Sequence, residues 1–410
     1  MKKKVFTTLI LCLLVAGAAA ANPERKSIQA GGHMREYLVY MPQNEYAGKP
    51  DGIIVALHGF NQTMHNFFEE YSMTSIADSL NCIILSPQAL PEQDENVIGK
   101  SDVLNLFLDK KIKLDAAWGC GLRVRFFILD GLDLPLTAEL NKSVDDVDFI
   151  RMAIAQTLNE HAMPVENIYL AGTSMGGYMA YQFAVRQPLK LSGIISIAGS
   201  MGLAISGADG RLKTPVCDFH SVTDDVVPYA GSYLASAGVT VSLAKNKEDV
   251  IRYWAETNET GTPVTENVDY YPSTNGITAE KITYPHPENE VVHYRINGAS
   301  HGYFFRKGSG DCMDYVEETG KFIASHFVKH SGGNETVDAT QIAVYPNPAR
   351  DAVYFGCPDG DVSVYDLTGK LVLSASFHSG YLNISSLKQG MHILRIRSGD
   401  RTYTAKIIKQ

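Results

Sequence analysis

The chain has 410 residues, 45% apolar and 20% charged, the balance of a soluble globular protein with room for one large domain and one small one. Its formal net charge of −9 works against a nucleic-acid partner, because neutralising a phosphate backbone needs clustered Lys and Arg. The 6 cysteines include no Cys-x-x-Cys pair, so no metal site is expected from them.

The first residues, MKKKVFTTLILCLLVAGAAAAN, join three lysines to an apolar core from Val5 to Val15 and a run of alanines. That core is too short to cross a bilayer interior of roughly 30 Å. Residues 1–21 therefore read as a secretory signal peptide cut near Ala20 or Ala21, leaving a mature chain with no transmembrane segment. In an oxidising compartment Cys82, Cys120, Cys217 and Cys312 are expected either to form two bridges or to stay as buried thiols.

From residue 25 to 330 short apolar runs alternate with helical patterns. GIIVALHGF and NCIILSPQAL are β-branched runs closed by Gly or Pro, which predicts buried parallel strands. SVDDVDFIRMAIAQTLNEH spaces Val144, Val147, Ile150, Ile154 and Leu158 as a helix, with Ser143 and Asp146 as its capping signal. A strand at NIYLAG, a helix from Met175, and strands at LSGIISIAGS, TPVCDFHSV and VVHYRINGAS follow, and the last precedes a helix around MDYVEETGKFIASHF. This alternation predicts an α/β fold, a doubly wound and mainly parallel sheet covered by helices on both faces. Composition turns polar at KHSGGNETVDATQ, which places an interdomain linker at residues 331–341. Residues 342–410 are short alternating runs between Pro, Gly, Asp and Asn turns, a small antiparallel immunoglobulin-like sandwich.

The chemistry-bearing stretch is YLAGTSMGGYMAYQF. Ser174 lies between Gly172 and Gly176, after an apolar strand and before a helix, the setting of a nucleophile on a sharp turn. Such a serine needs a base and an acid that orients the base, and on this sheet they follow in the order acid, histidine. FHSVTDDVVPY supplies Asp224, with Asp225 in reserve, and INGASHGYFF supplies His301 after the last strand. His220 and His293 fall inside strands and read as structural. An oxyanion would be held by the N–H groups of Met175, at the start of the helix, and Phe60, in ALHGFNQT, where Gly59 lets the backbone approach and His58 braces the loop. Trp118 and Tyr303 are candidate aromatic walls for the substrate, and residues 91–142 hold the candidate specificity loops, with DGLDLPLTAELN at the rim or in a simple surface loop. No metal or organic cofactor is called for.

REYLVYMP, ALHGFNQT, WGCG, SVDDVDFIR, NIYLAGTSMGGYMAYQFA, HSVTDDVVPY and GASHGYFF, in that order over residues 28–305, resemble the secreted α/β-hydrolase esterases that include carbohydrate esterase family one, feruloyl esterases and polyhydroxybutyrate-depolymerase-like proteins. The resemblance implies Ser174 as nucleophile, Asp224 as acid and His301 as base. Two departures leave the acyl group open: Phe60-Asn61 stands where depolymerase-like members carry Cys-Thr, and Gly302-Tyr303-Phe304 replaces Thr-Trp-Pro. In the tail, VYPNPARD, VYDLTGKLV, LNISSLKQGMHILRI and KIIK resemble the sorting domain of type IX secretion substrates, which implies passage through the periplasm of a Gram-negative bacterium to the surface or medium, with the secretion machinery as partner. A sugar-binding sandwich is the other reading of the tail. The expected function is removal of feruloyl or acetyl groups from plant polysaccharides. A polyester depolymerase, a prolyl-oligopeptidase-like peptidase and an inactive surface adhesin are the rivals.

Overall fold

The computed structural model describes residues 22–43, 49–95, 97–98, 113–126, 136–163, 165–186, 188–202, 213–231, 239–240, 245–328, 342, 344–355, 357, 359–366, 369–378, 380–399 and 401–410. The expected signal peptide and the expected linker at 331–341 lie outside the described residues, as does much of the 91–142 region.

The elements run β1 (Glu24–Ala30), β2 (His33–Tyr40), β3 (Gly52–Leu57), α1 (Asn66–Glu70), α2 (Met73–Leu80), β4 (Cys82–Pro87), β5 (Arg123–Phe126), β6 (Leu136–Glu139), α3 (Asp146–Glu160), β7 (Ile168–Thr173) and α4 (Met175–Arg186). Then come β8 (Gly193–Ile197), β9 (Val216–Ser221), β10 (Val239–Thr240), α5 (Lys247–Thr257), β11 (Val264–Val268), β12 (Thr278–Tyr284), β13 (Val291–Asn297) and α6 (Tyr315–Ser325).

Ten strands form one sheet in the order β1-β2-β4-β3-β7-β8-β9-β13-β12-β11. Its centre, β4 to β13, is parallel, and antiparallel hairpins close both edges. The parallel strands are buried on both faces, so Ile53, Val55, Leu57, Ile83 and Leu170 serve one apolar layer with α3, α4 and α5. Their neighbours Ile54, Ala56, Ile84 and Ala171 serve the other with α1, α2 and α6. This is why these strands read as unbroken apolar runs. The chain runs outward from β3 to β4 and then crosses to β7, so the winding reverses between β3 and β7; ligands in such sheets bind beyond the strand ends at that point. A small sheet β10-β5-β6 lies apart.

One expectation changes and one alternative is decided. The cap of α3 is Asp145, which accepts from Asp148 N, while Asp146 is fully buried and takes the Arg35 guanidinium at 2.5 Å and Gly119 N at 2.6 Å. Asp146 thus ties α3 to β2 and to the 119 turn instead of capping. Of the two readings of the cysteines the buried thiols hold: Cys82, Cys120, Cys217, Cys312 and Cys357 are free and buried.

The C-terminal residues build two antiparallel sheets from β14 (Val344–Tyr345), β15 (Ala352–Phe355), β16 (Gly360–Tyr365), β17 (Leu371–Phe377), β18 (Tyr381–Asn383), β19 (Gly390–Ser398) and β20 (Arg401–Lys409). They order as β14-β15-β18 and β17-β16-β19-β20 around Val353, Phe355, Val364, Leu394, Ile396 and Ile407. Their contact with α3 centres on Arg151, which pairs with Asp148 at 2.6 Å and lies over the Tyr354 ring at 4.1 Å. No described helix is long and apolar enough to cross a membrane.

Candidate active site

Ser174 follows β7 directly and sits at φ 52°, the left-handed region that costs a side-chain-bearing residue about 1 kcal/mol. Its neighbours explain how the turn is tolerated. A Cβ at Gly172 would come within 2.2 Å of the Gly176 carbonyl oxygen, so only glycine lets the strand double back onto α4. Ser174 N donates to Ile197 O at 2.8 Å, fixing the turn to β8.

The acid and base loops leave β9 and β13, which pair in parallel. Ser221 Oγ and Thr223 Oγ1 both donate to Ala299 O, at 2.7 and 3.0 Å, and Thr223 Oγ1 accepts from Gly298 N at 3.1 Å. The two loops are thereby stitched together before either functional side chain is counted. Asp224 Oδ1 accepts from Val226 N at 2.9 Å and Val227 N at 2.7 Å. His301 Nδ1 donates to Asp224 Oδ2 at 2.9 Å, which leaves the Nε2 lone pair to receive the Ser174 hydroxyl at 3.0 Å. Burial opposes the charge on Asp224, but the hydrogen bonds it accepts, first from His301 and then from Val227 N, help hold the carboxyl below the usual carboxylate range.

Asp225, the reserve acid, plays another part. Its Oδ1 accepts from His301 N at 3.1 Å and so positions the backbone that carries the ring. Phe60 and Met175 bring their N–H groups to the same end of the sheet. The first turn of α4 rests on the end of β3, and a Cβ at Gly59 would lie 3.4 Å from Ser174 Cβ. The opening N–H groups of a helix have no intrahelical acceptor, and Met175 is the first residue of α4, at the positive end of its dipole.

His58 is completely buried. Its Nε2 accepts from Ala89 N at 3.1 Å, so the proton is on Nδ1, which donates to Gly59 O at 2.8 Å; burial pushes the ring down to about 4. Trp118 is not the substrate wall expected of it: it has no exposed surface to offer a ligand, and its Nε1 donates to His58 O at 2.8 Å beneath the Gly59 loop. Tyr303 is half-buried, with its hydroxyl donating to Asp311 at 2.6 Å and accepting from Asn275 at 3.0 Å, which fixes the segment after His301.

Residues 138–255 match the phospholipase/carboxylesterase family, and residues 343–410 match the secretion system C-terminal sorting domain. The chain joins a carboxylesterase-type α/β-hydrolase to a secretion-sorting tail. No curated protein matches it. Among solved structures the hydrolase is similar to an acetyl xylan esterase from Aspergillus awamori, at 11% identity and TM-score 0.45, covering 74% of this chain and 99% of that one. It is also similar to an S-formylglutathione hydrolase from Agrobacterium tumefaciens, at 13% identity and TM-score 0.44, covering 75% and 95% of the two chains. A Zea mays acyl-protein thioesterase 2 matches at 15% identity and TM-score 0.39, covering 71% and 99%.

One part of the hydrolase's site has no sequence signature. Behind Asp224 the buried Asp218 takes Lys247 Nζ at 2.7 Å and His293 Nδ1 at 2.9 Å. Burial disfavours this carboxylate, yet the Lys247 ammonium and His293 hold it far below the usual range. The only signals are an aspartate inside an apolar strand and a lysine opening a helix, each ordinary alone.

Proposed function

We propose that this hydrolase is a secreted serine esterase that removes feruloyl or acetyl groups from plant polysaccharides. The observation that carries the reading is the continuous chain from the Ser174 hydroxyl through His301 to Asp224, with the serine held at positive φ. In this reading Ser174 Oγ attacks the ester carbonyl as His301 Nε2 takes its proton, and Asp224 keeps the ring in the Nδ1–H tautomer. The oxyanion is received by the N–H groups of Phe60 and Met175. His301 returns the proton to the leaving sugar oxygen, and water then cleaves the acyl-enzyme with His301 again as base. The sorting tail supports action outside the cell, with the secretion machinery as its partner. Feruloyl and acetyl are named on the stretches quoted from residues 28–305.

Purified mature protein and Ser174→Ala are assayed on methyl ferulate, acetylated xylan, hydroxybutyrate oligomers and a chromogenic short-chain ester. The variant should lose roughly 10³-fold or more in kcat while keeping its fold. Turnover of ferulate or acetylated xylan supports the reading. Turnover of hydroxybutyrate oligomers alone moves the substrate to polyesters, and full activity of the variant refutes the nucleophile.

A further inference from the structure

Below the acid loop a second group of polar side chains meets with almost no exposed surface: Asp218 and His220 on β9, Lys247 on α5, His293 on β13 and Tyr181 on α4. Tyr181 O–H and Lys247 Nζ both donate to Asp218 Oδ1, at 2.9 and 2.7 Å, and Lys247 Nζ also donates to Gly199 O at 2.5 Å. His293 gives Nδ1–H to Asp218 Oδ2, and its Nε2 accepts from the Tyr229 hydroxyl at 2.9 Å. That ring has one donor and one acceptor, each matched.

His220 is placed differently. Its Nδ1 lies 3.0 Å from Gly199 O, and its Nε2 lies 2.7 Å from Val227 O and 3.6 Å from Asp224 Oδ2. All three partners are acceptors. A ring with a single N–H would aim a lone pair at one of two carbonyl oxygens, of which Gly199 O is held in place by Lys247 and Val227 O lies 2.7 Å from Nε2. Only the doubly protonated ring makes both bonds. Charge counting agrees, since Asp218 and Asp224 are two buried carboxylates and Lys247 offsets only one. Burial and the Lys247 ammonium act the other way, pushing the ring down to about 4 against the pull of Asp218, Asp224 and the Val227 carbonyl. The two effects give opposite protonation states at neutral pH, and the donor count favours the charged one.

We propose that His220 is a positioning residue for Asp224: an imidazolium bridging the Gly199 and Val227 carbonyls that holds the acid loop and partly offsets the Asp224 charge. The titratable groups packed around it are Asp218 on its own strand, Asp224 and Tyr229 in the following loop, and Lys247 on α5. Beyond Asp218 come His293 on β13 and Tyr181 on α4. Removing the His220 charge leaves Asp224 less compensated, so the catalytic base is held in its protonated form up to higher pH. The kinetic consequence rests on the esterase reading; the protonation state does not.

The test has two arms on the full chain. In ¹⁵N-histidine NMR at pH 7 the His220 ring, assigned by its contact with the Tyr229 ring 5.9 Å away and by its loss in His220→Gln, should show both nitrogens protonated. One unprotonated nitrogen overturns the proposal, whether or not the chain turns over any ester. In the kinetic arm His220→Gln should shift the acidic limb of kcat/KM upward by about one pH unit, through kcat and not KM, roughly a tenfold loss on that limb. A lower melting temperature with an unmoved limb would reduce His220 to a structural residue. If the Gln variant does not fold, the NMR arm on the native chain decides, with the ring assigned by its Tyr229 contact alone.

Discussion

A Cβ on Gly176 would lie 2.0 Å from the carbonyl oxygen of Leu57, so the first turn of α4 rests directly on the last residue of β3. Both partners are backbone and neither can swing aside. The same contact brings the Phe60 loop up to Ser174. Gly176→Ala should therefore cost about 3 kcal/mol or more and separate the two N–H groups assigned to the oxyanion. Thermal unfolding and ester turnover should fall together; a variant of native stability and activity would show that the contact can relax.

Asp224 and Asp225 are adjacent and should behave differently. Asp224→Asn removes the acceptor of His301 Nδ1–H and should lower kcat by roughly 10⁴-fold with little change in KM. Asp225→Asn keeps an oxygen for His301 N and should stay within about tenfold of native. Equal losses in the two variants would mean that the ring partner is misassigned.

Acid should weaken the fold in two stages. His58 is held down to about 4, below its unfolded value near 6.5, so its contribution is complete above about pH 6.5 and is lost as pH falls toward 4. Asp218 is depressed by Lys247 and His293 after the opposing effect of burial, so its contribution is present above about pH 4 and fades only below that. Urea midpoints measured from pH 7 to 3 should drop in both windows. Asp218→Asn should remove the lower one and leave the upper.

Arg151 joins α3 to the C-terminal sheets through the Tyr354 ring and Tyr345, whose hydroxyl lies 3.5 Å from its guanidinium. Arg151→Ala loses a cation–π contact of about 1–2 kcal/mol and the Asp148 pair, with no effect on the triad geometry. Limited proteolysis should release the tail faster than from the native chain, at unchanged kcat. An unchanged cleavage rate would show that the contact does not hold the tail.

The central strands are legible in the sequence because a strand covered on both faces must be apolar at every position, as Ile53 to Leu57 are. The edge hairpins are not: β11 is almost wholly exposed, and its run VTENV carries no buried pattern. The order of Ser174, Asp224 and His301 along the chain suffices to name three residues that join in one hydrogen-bonded chain through His301. Composition and order cannot say which of Asp145 and Asp146 faces inward, since both follow Ser143 and the partners that hold Asp146, Arg35 and Gly119 N, are distant in sequence. Trp118 escapes the sequence for a similar reason, as a lone aromatic gives no sign of which backbone carbonyl its N–H will find. The pairing of Asp218 with Lys247 and His293 is equally a product of folding.

The five buried thiols carry a consequence for export. Burial pushes Cys82 up to about 12 and Cys357 up to about 11, far from the thiolate form that oxidants attack. That protection belongs to the native packing and vanishes with it. A copy that meets an oxidising compartment half-folded presents reactive sulfurs that can be trapped in wrong bridges, whereas a finished copy presents none of the five. Fast folding would therefore shorten the interval in which such wrong bridges can form.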